Sequence, residues 1–134
     1  MPAKTTEVQR ETILVVEDNF DICMLIRIFL ERAGYTVITA DDGEEGLRAY
    51  QRYQPDIALL LTDIAMPKMN GVDLADRVLQ LDSHLPVLLM SGDAPRLSLR
   101  FECLTKPFRS ADLVGRVARA LHSSDIVQNL APIQ

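Results

Sequence analysis

Ile13-Leu14-Val15-Val16-Glu17-Asp18 is an unbroken aliphatic run that ends on two acids. Apolar residues without alternation are how a strand buried on both faces reads, and such strands belong to parallel sheets. The pattern recurs. Ile57-Ala58-Leu59-Leu60-Leu61 leads into Thr62-Asp63, Pro86-Val87-Leu88-Leu89-Met90 leads into Ser91-Gly92, and a run from Phe101 closes on Thr105-Lys106-Pro107-Phe108. In an open parallel sheet, ligands bind beyond the carboxyl ends of the strands. Glu17, Asp18, Asp63, Ser91 and Lys106 are therefore expected to meet at one edge.

The segments between these runs read as helices. Ile22, Ile26, Phe29 and Ala33 recur at helical spacing behind Asn19, a good N-cap, and Gly34 stands where that helix would stop. Tyr35–Ala40 reads as a second strand. Asp41-Asp42-Gly43 is a turn that opens a helix with Leu47 and Tyr50 facing inward, and Pro55-Asp56 leads into the third strand. Residues 66–71 form a loop with Met66 and Met69 packed beneath it, followed by a helix carrying Val72, Leu74, Ala75, Val78 and Leu79. Ser110 is placed to cap a last helix with Leu113, Val117 and Leu121 inside. Strand and helix alternate, which predicts an α/β fold: a doubly wound, five-stranded parallel sheet covered on both faces.

A chain of 134 residues, 48% hydrophobic, can bury a core in one domain without disulfides or a structural metal. Residues 1–11 are expected as a loose arm, 12–122 as the folded domain and 123–134 as a tail; Met1 favours a free-standing chain. A net charge of −5 disfavours direct nucleic-acid or anionic-membrane partners. No apolar run reaches the roughly 20 residues of a membrane helix, and Met1–Thr12 has no signal-peptide core, so a cytoplasmic location is expected. Cys23 and Cys103 are expected as reduced thiols rather than a bridge. His84 and His122 lack ligand spacing.

Three carboxylates near one point repel: at about 4 Å and an effective dielectric of 20, each pair costs on the order of 4 kcal/mol. A cation must sit among them. All-oxygen ligation with few carboxylates suits Mg²⁺, with Mn²⁺ as a substitute. Three carboxylates, a divalent ion and Lys106 sum to zero charge, and such a site can accept a phosphoryl group. Asp63 would be both metal ligand and carboxylate nucleophile, Asp18 a direct ligand and Glu17 a ligand through water. Lys106 and the Ser91 hydroxyl would hold phosphoryl oxygens. Each residue alone has a plainer explanation: Glu17-Asp18 as acids at a helix N-terminus, Asp63 and Ser91 as turn residues, Lys106 as an exposed lysine. Their joint placement at the ends of strands one, three, four and five favours the site.

Val15-Val16-Glu17-Asp18-Asn19, Asp63-x-x-Met66-Pro67-x-x-x-Gly71, Met90-Ser91-Gly92 and Leu104-Thr105-Lys106-Pro107-Phe108 together resemble the receiver domain of two-component response regulators, over roughly Thr12 to His122. The resemblance implies the flavodoxin-like strand order 2-1-3-4-5. It implies Asp63 as phosphoacceptor, the Ala65 backbone carbonyl as a further metal ligand, and a cis peptide before Pro107. A histidine kinase or histidine phosphotransfer protein would be the donor. Output would pass to a downstream protein partner or through homodimerisation, and the domain is a signalling receiver rather than an ordinary enzyme.

Two features depart from the family pattern. The family's usual aromatic switch residue, three positions before the lysine, is here Cys103, with Phe101 on the same strand face as its substitute alongside Ser91. Lys106 follows Ser91 by only 15 positions, roughly two helical turns short. The fourth helix, between Gly92 and Arg100, is accordingly expected to be shortened or missing. The alternative function is a receiver-like scaffold that binds partners without switching. A dehalogenase-like phosphatase would need a second acid where Ala65 stands, and a flavin carrier would need a glycine- and hydroxyl-rich loop where Glu17-Asp18 stand.

Overall fold

Residues that cannot reach water on either side set the architecture. In a computed structural model, which describes residues 10–92 and 101–130 and side chains as far as His122, the aliphatic runs form strands β1 (Thr12–Val16), β3 (Ile57–Asp63) and β4 (Val87–Ser91). These are flanked by β2 (Thr36–Ala40) and β5 (Glu102–Thr105), giving an all-parallel sheet of order β2-β1-β3-β4-β5. Fold class and strand order are as expected. The helices among the described residues are α1 (Phe20–Arg32), α2 (Gly43–Tyr53), α3 (Gly71–Leu81) and α4 (Ser110–Leu130).

Alternating side chains divide the core in two. Ile13, Val15, Leu59, Leu61, Leu88 and Met90 face Cys23, Ile26 and Leu30 of α1 and Leu113, Val117 and Leu121 of α4. Leu14, Val16 and Leu60 face the other way, onto Tyr50 of α2 and Leu74, Ala75 and Val78 of α3. Burial on both faces explains why these strands carry no polar alternation. Met66 and Met69 pack against the second cluster, as expected of them.

The local signals act where they were read. Asn19 Oδ1 accepts from the Ile22 N–H at 3.0 Å, and Gly34 takes a φ of 102° just past the end of α1. Ser110 differs from the expectation: it is the first helical residue rather than the cap. The Arg109 N–H donates to Asp112 Oδ2 at 3.3 Å, the reach-back half of a capping box. The stretch after His122, expected as a tail, continues α4 to Leu130, so the helix outruns the apolar stripe by which it was recognised. The expected shortening of the helix between Gly92 and Arg100 falls on residues 93–100, outside the described residues, as does most of the expected N-terminal arm.

Two glycines mark opposite requirements. A Cβ on Gly71 would lie 2.1 Å from the Asp63 carbonyl oxygen, because the Gly71 N–H closes the loop onto Ile64 O at 2.9 Å. Gly115, inside α4, meets nothing within 4 Å. Gly71→Ala should cost at least about 1–3 kcal/mol by overpacking against rigid backbone. Gly115→Ala should gain about 0.5–1 kcal/mol from helix propensity. Urea unfolding of both variants checks the pair; equal effects would contradict this packing.

Candidate functional site

The strand ends are level. Val16 pairs with Thr62, Asp63 with Met90, and Ser91 with Thr105, so the residues that follow β1, β4 and β5 emerge beside the end of β3. The Glu17 N–H donates to Ala40 O at 3.1 Å, which continues the β1–β2 ladder and turns the Glu17 side chain into the protein. Glu17 is 2% exposed and Asp63 7%, whereas Asp18 lies open to solvent at the rim. Oxygens of Glu17, Asp18 and Asp63 approach within 4.8 Å of one another.

Lys106 is fixed at both ends. Its backbone N–H donates to Ser91 O at 2.7 Å, and the peptide to Pro107 is cis, as the resemblance implied. Its Nζ donates to Glu17 Oε1 at 2.7 Å and stands 3.4 Å from Asp63 Oδ1. Glu17 Oε2 accepts from the Asn19 N–H at 3.1 Å. Ser91, half-buried, ends β4 beside this lysine. Four expected site residues, Glu17, Asp18, Asp63 and Lys106, thus share one constellation, and Ser91 is tied to it through the Lys106 backbone.

Burial raises the Glu17 and Asp63 carboxyls above their ordinary values, outweighing the pull of Lys106 in both cases. Lys106 is itself raised: burial opposes its charge, but the hydrogen bond to Glu17 and the charge of Asp63 prevail. The donor set is all oxygen and acidic, which fits a hard divalent cation. Asp18 and Asp63 would hold it, together with the backbone carbonyl of Ala65, an exposed residue two positions beyond Asp63. When bound, that ion neutralises the cluster and the oxygens of an incoming anion.

The switch residues are placed differently from each other. Cys103 is half-buried in β5, its register partner is Leu89, and its carbonyl accepts from Arg116 Nη2 at 3.3 Å. Burial pushes its thiol up. Phe101 precedes β5 at the end opposite Lys106 and, like Val87 and Leu79, packs against the cluster that holds Leu60, Leu74 and Val78. The cleft beside it, about 630 Å³, is lined by Leu79, Phe101, Arg116 and Arg119 and contains none of the acidic cluster. Cys23 and Cys103 are both free thiols, as expected. His84 and His122 are exposed and stand outside the cluster.

Thr62 and Asn19 contribute in ways the motif reading missed. Thr62 is fully buried and donates to the Asp63 carbonyl at 3.0 Å, and the Asn19 backbone holds Glu17. A hydroxyl in an otherwise aliphatic run was the available signal for Thr62. Lys68 adopts a φ of 71° and pairs with Asp42 at 3.5 Å, linking the loop after β3 to the start of α2.

A level-ended parallel sheet with an acidic cluster and an inward lysine defines a phosphoacceptor receiver. The family model for the response regulator receiver domain matches residues 13–118, and the chain belongs to that family. It is 38% identical over 120 residues to the response regulator receiver protein CpdR of Brucella abortus, covering 81% of this chain and 95% of that protein. It is 35% identical over 121 residues to the alkaline phosphatase synthesis transcriptional regulatory protein PhoP of Bacillus subtilis. That match covers 85% of this chain but only 50% of PhoP, so the chain spans about half the length of that relative. A receiver domain structure from Clostridium thermocellum superposes with a TM-score of 0.79 at 30% identity, covering 87% of this chain and 98% of that one. The protein is a receiver of two-component signalling, and among the described residues no helix is long and apolar enough to cross a membrane.

The raised carboxyls give a signed pH prediction for the metal-free protein. A folded pKa above the unfolded value stabilises below the unfolded value and loses that contribution as pH rises through the folded one. Unfolding free energy should therefore fall as pH rises above the ordinary values of 3.8 and 4.5 for Asp63 and Glu17. The Lys106 contribution is present below 10.5 and is lost only above its raised value. Millimolar Mg²⁺ at neutral pH should raise the melting temperature, by an amount set by RT ln(1 + [L]/Kd), and Asp63→Asn should raise it without metal. Calorimetric scans from pH 4 to 8 check this; a Tm that climbs with pH in EDTA would contradict it.

Proposed function

We propose that Asp63 is the residue that carries the phosphoryl group, with Lys106 and Ser91 as its partners and Mg²⁺ as cofactor. The observation that supports this best is the Lys106 ammonium lying 3.4 Å from Asp63 Oδ1 inside a cluster of three carboxylates. An oxygen of Asp63 attacks the phosphorus of a phosphohistidine. The new P–O bond forms as the P–N bond breaks, and the imidazole nitrogen departs with the bonding pair and takes up a proton. Lys106 and the Ser91 hydroxyl steady the charge on the transferring group. Water later attacks phosphorus, the bond to Asp63 breaks, and inorganic phosphate leaves with the carboxylate restored.

The donor is a histidine kinase or histidine phosphotransfer protein, and it must bring its imidazole to the rim. Six large apolar side chains are exposed among the described residues, and four of them lie on α1: Phe20, Met24, Leu25 and Ile28. Phe20, 73% exposed, begins two residues after Asp18, and Met24 and Ile28 continue its stripe at helical spacing. An apolar helical face on the donor would seat there while its histidine reaches Asp63. Ile28→Ser should slow transfer from a phosphohistidine protein by roughly tenfold, equivalent to about 1.4 kcal/mol, while phosphorylation by acetyl phosphate stays within about twofold. Equal slowing with both donors would contradict the docking role.

Incubation with Mg²⁺ and acetyl phosphate or a phosphorylated donor, followed by intact mass measurement, tests the acceptor. One added phosphoryl group is expected, absent in Asp63→Asn and absent when EDTA replaces the metal. No addition with any donor would favour the interaction scaffold instead.

A further inference from the structure

β2 forms one edge of the sheet, and among the described strands it pairs only with β1. The Thr36 N–H donates to Glu11 O at 3.0 Å, and Ala40 O accepts from the Glu17 N–H at 3.1 Å. Successive residues of a strand turn their polar groups to opposite edges, so Thr36, Ile38 and Ala40 face β1, whereas the N–H and C=O groups of Val37 and Thr39 point toward the open edge. Edge strands are commonly protected from pairing with another chain by a charge, a proline or a bulge. Thr36-Val37-Ile38-Thr39-Ala40 carries no charge and no proline, and its register with β1 is unbroken.

A charged strip with a direction flanks this edge. α2 runs back beside β2 and leaves a cleft of about 470 Å³, with Ile38, Ala49 and Tyr53 in its walls. Asp41 and Glu45 line it where β2 ends, and Arg48 and Arg52 line it toward the start of the strand. Glu45 and Arg52 are seven positions apart, roughly 10 Å along the helix or three residues of strand. A second copy related by a two-fold axis perpendicular to the sheet meets this strip in reverse order, so acids face bases at both ends. We propose that β2 and α2 form a self-association surface, on which β2 of a second copy adds antiparallel to β2 and joins the two sheets into one. The surface uses neither Asp63 nor Lys106 and is independent of the phosphoacceptor reading.

Each part of the surface has its own task. The outward backbone groups of Val37 and Thr39 gain partners, as in any strand addition at a free edge. Tyr53, 40% exposed, gains cover, and its ring is already held beneath the Arg52 guanidinium at 5.5 Å. Arg48 pairs with Glu45 inside α2, but these side chains are 62% and 52% exposed, and a pair so well hydrated is exchanged across an interface at little cost. The charges therefore set orientation more than affinity. A strand added parallel would set acid beside acid and base beside base. The chain itself supplies the complement that another extended peptide would have to bring.

The patch is small, so self-association is expected at the weak end of specific interfaces, with a Kd on the order of 0.1 mM. Between about 0.01 and 1 mM, sedimentation velocity of the full chain should show the mean mass rising from that of one chain toward that of two. Amide exchange at Val37 and Thr39 should slow at least about threefold over the same range. Glu45→Arg makes most of the strip positive and Arg52→Glu makes most of it negative, and each alone should weaken association at least about tenfold. An equimolar mixture of the two, and the double variant, should each associate within about threefold of the unmodified chain. Far-UV circular dichroism checks that the variants remain folded. An unmodified chain that keeps the mass of one copy throughout would overturn the proposal, and so would single variants that associate as before or fail to combine when mixed. Association without protection of Val37 and Thr39 would place the contact elsewhere and equally overturn it.

Discussion

The contact between Lys106 and Glu17 spans 89 positions of sequence and joins the segments that follow the first and last strands. Without it, two carboxylates would lie buried at the end of a parallel sheet with no compensating charge, a situation proteins avoid by pairing or by protonation. The rest of the site is arranged around this constraint. The level register of β1, β3, β4 and β5 places the donors within reach, and the Lys106 N–H to Ser91 O bond keeps the lysine on the side of the cluster. The pair is incomplete compensation. Both carboxyls remain above their ordinary values because burial outweighs the single cation beside them.

Support for that arrangement comes from backbone rather than from side-chain packing. Asp63 is the last residue of β3, and the chain beyond it is pinned twice: Ile64 N–H donates to Met90 O at 3.0 Å, and Gly71 N–H returns to Ile64 O. The return passes so close to the Asp63 carbonyl that only hydrogen fits at the Gly71 α-carbon. Lys68 then ties the same loop to Asp42, the N-cap of α2. The carboxylate end of β3 is thus held from the neighbouring strand, from its own loop and from a helix N-terminus. If Asp63 is the nucleophile proposed above, meeting phosphorus in line, it needs this kind of backing.

Much of this was legible from residue order. The aliphatic runs at Ile13, Ile57 and Pro86 announced buried parallel strands because burial on both faces removes the need for polar alternation, and their acidic ends located the site. The N-cap at Asn19 and the stop at Gly34 were readable because each acts on its own neighbours. What the residues did not announce depends on distance through space. Nothing local says that Glu17 bonds Lys106 more closely than Asp63 does, or that Thr62 donates to the Asp63 carbonyl. Nor does an apolar stripe read as ending at Leu121 reveal that α4 runs to Leu130, because backbone hydrogen bonding can carry a helix beyond the stripe by which it is recognised. That the last helix starts at Ser110 instead of being capped by it has a related reason: Asp112 supplies the reach-back contact, to the Arg109 N–H, at the start of that helix.

Charge ties cation and phosphoryl group together. With Glu17, Asp18 and Asp63 ionised and Lys106 protonated, the metal-free cluster has a formal charge of −2, and a phosphoryl group would deepen it. A divalent ion brings the unphosphorylated sum to zero and the phosphorylated sum from about −3 to about −1, so the proposed ligand and the proposed modification each favour the other. Such coupling is reciprocal by thermodynamic necessity: whatever factor the ion contributes to forming the aspartyl phosphate, the aspartyl phosphate returns to the affinity for the ion. Lys106 cannot substitute for the ion, because its single charge is already shared between Glu17 and Asp63. The lysine can order the site while it is empty of anion, but offsetting most of the charge of the phosphorylated state requires a second, stronger cation, and the open position of Asp18 at the rim would give the proposed ion its way in.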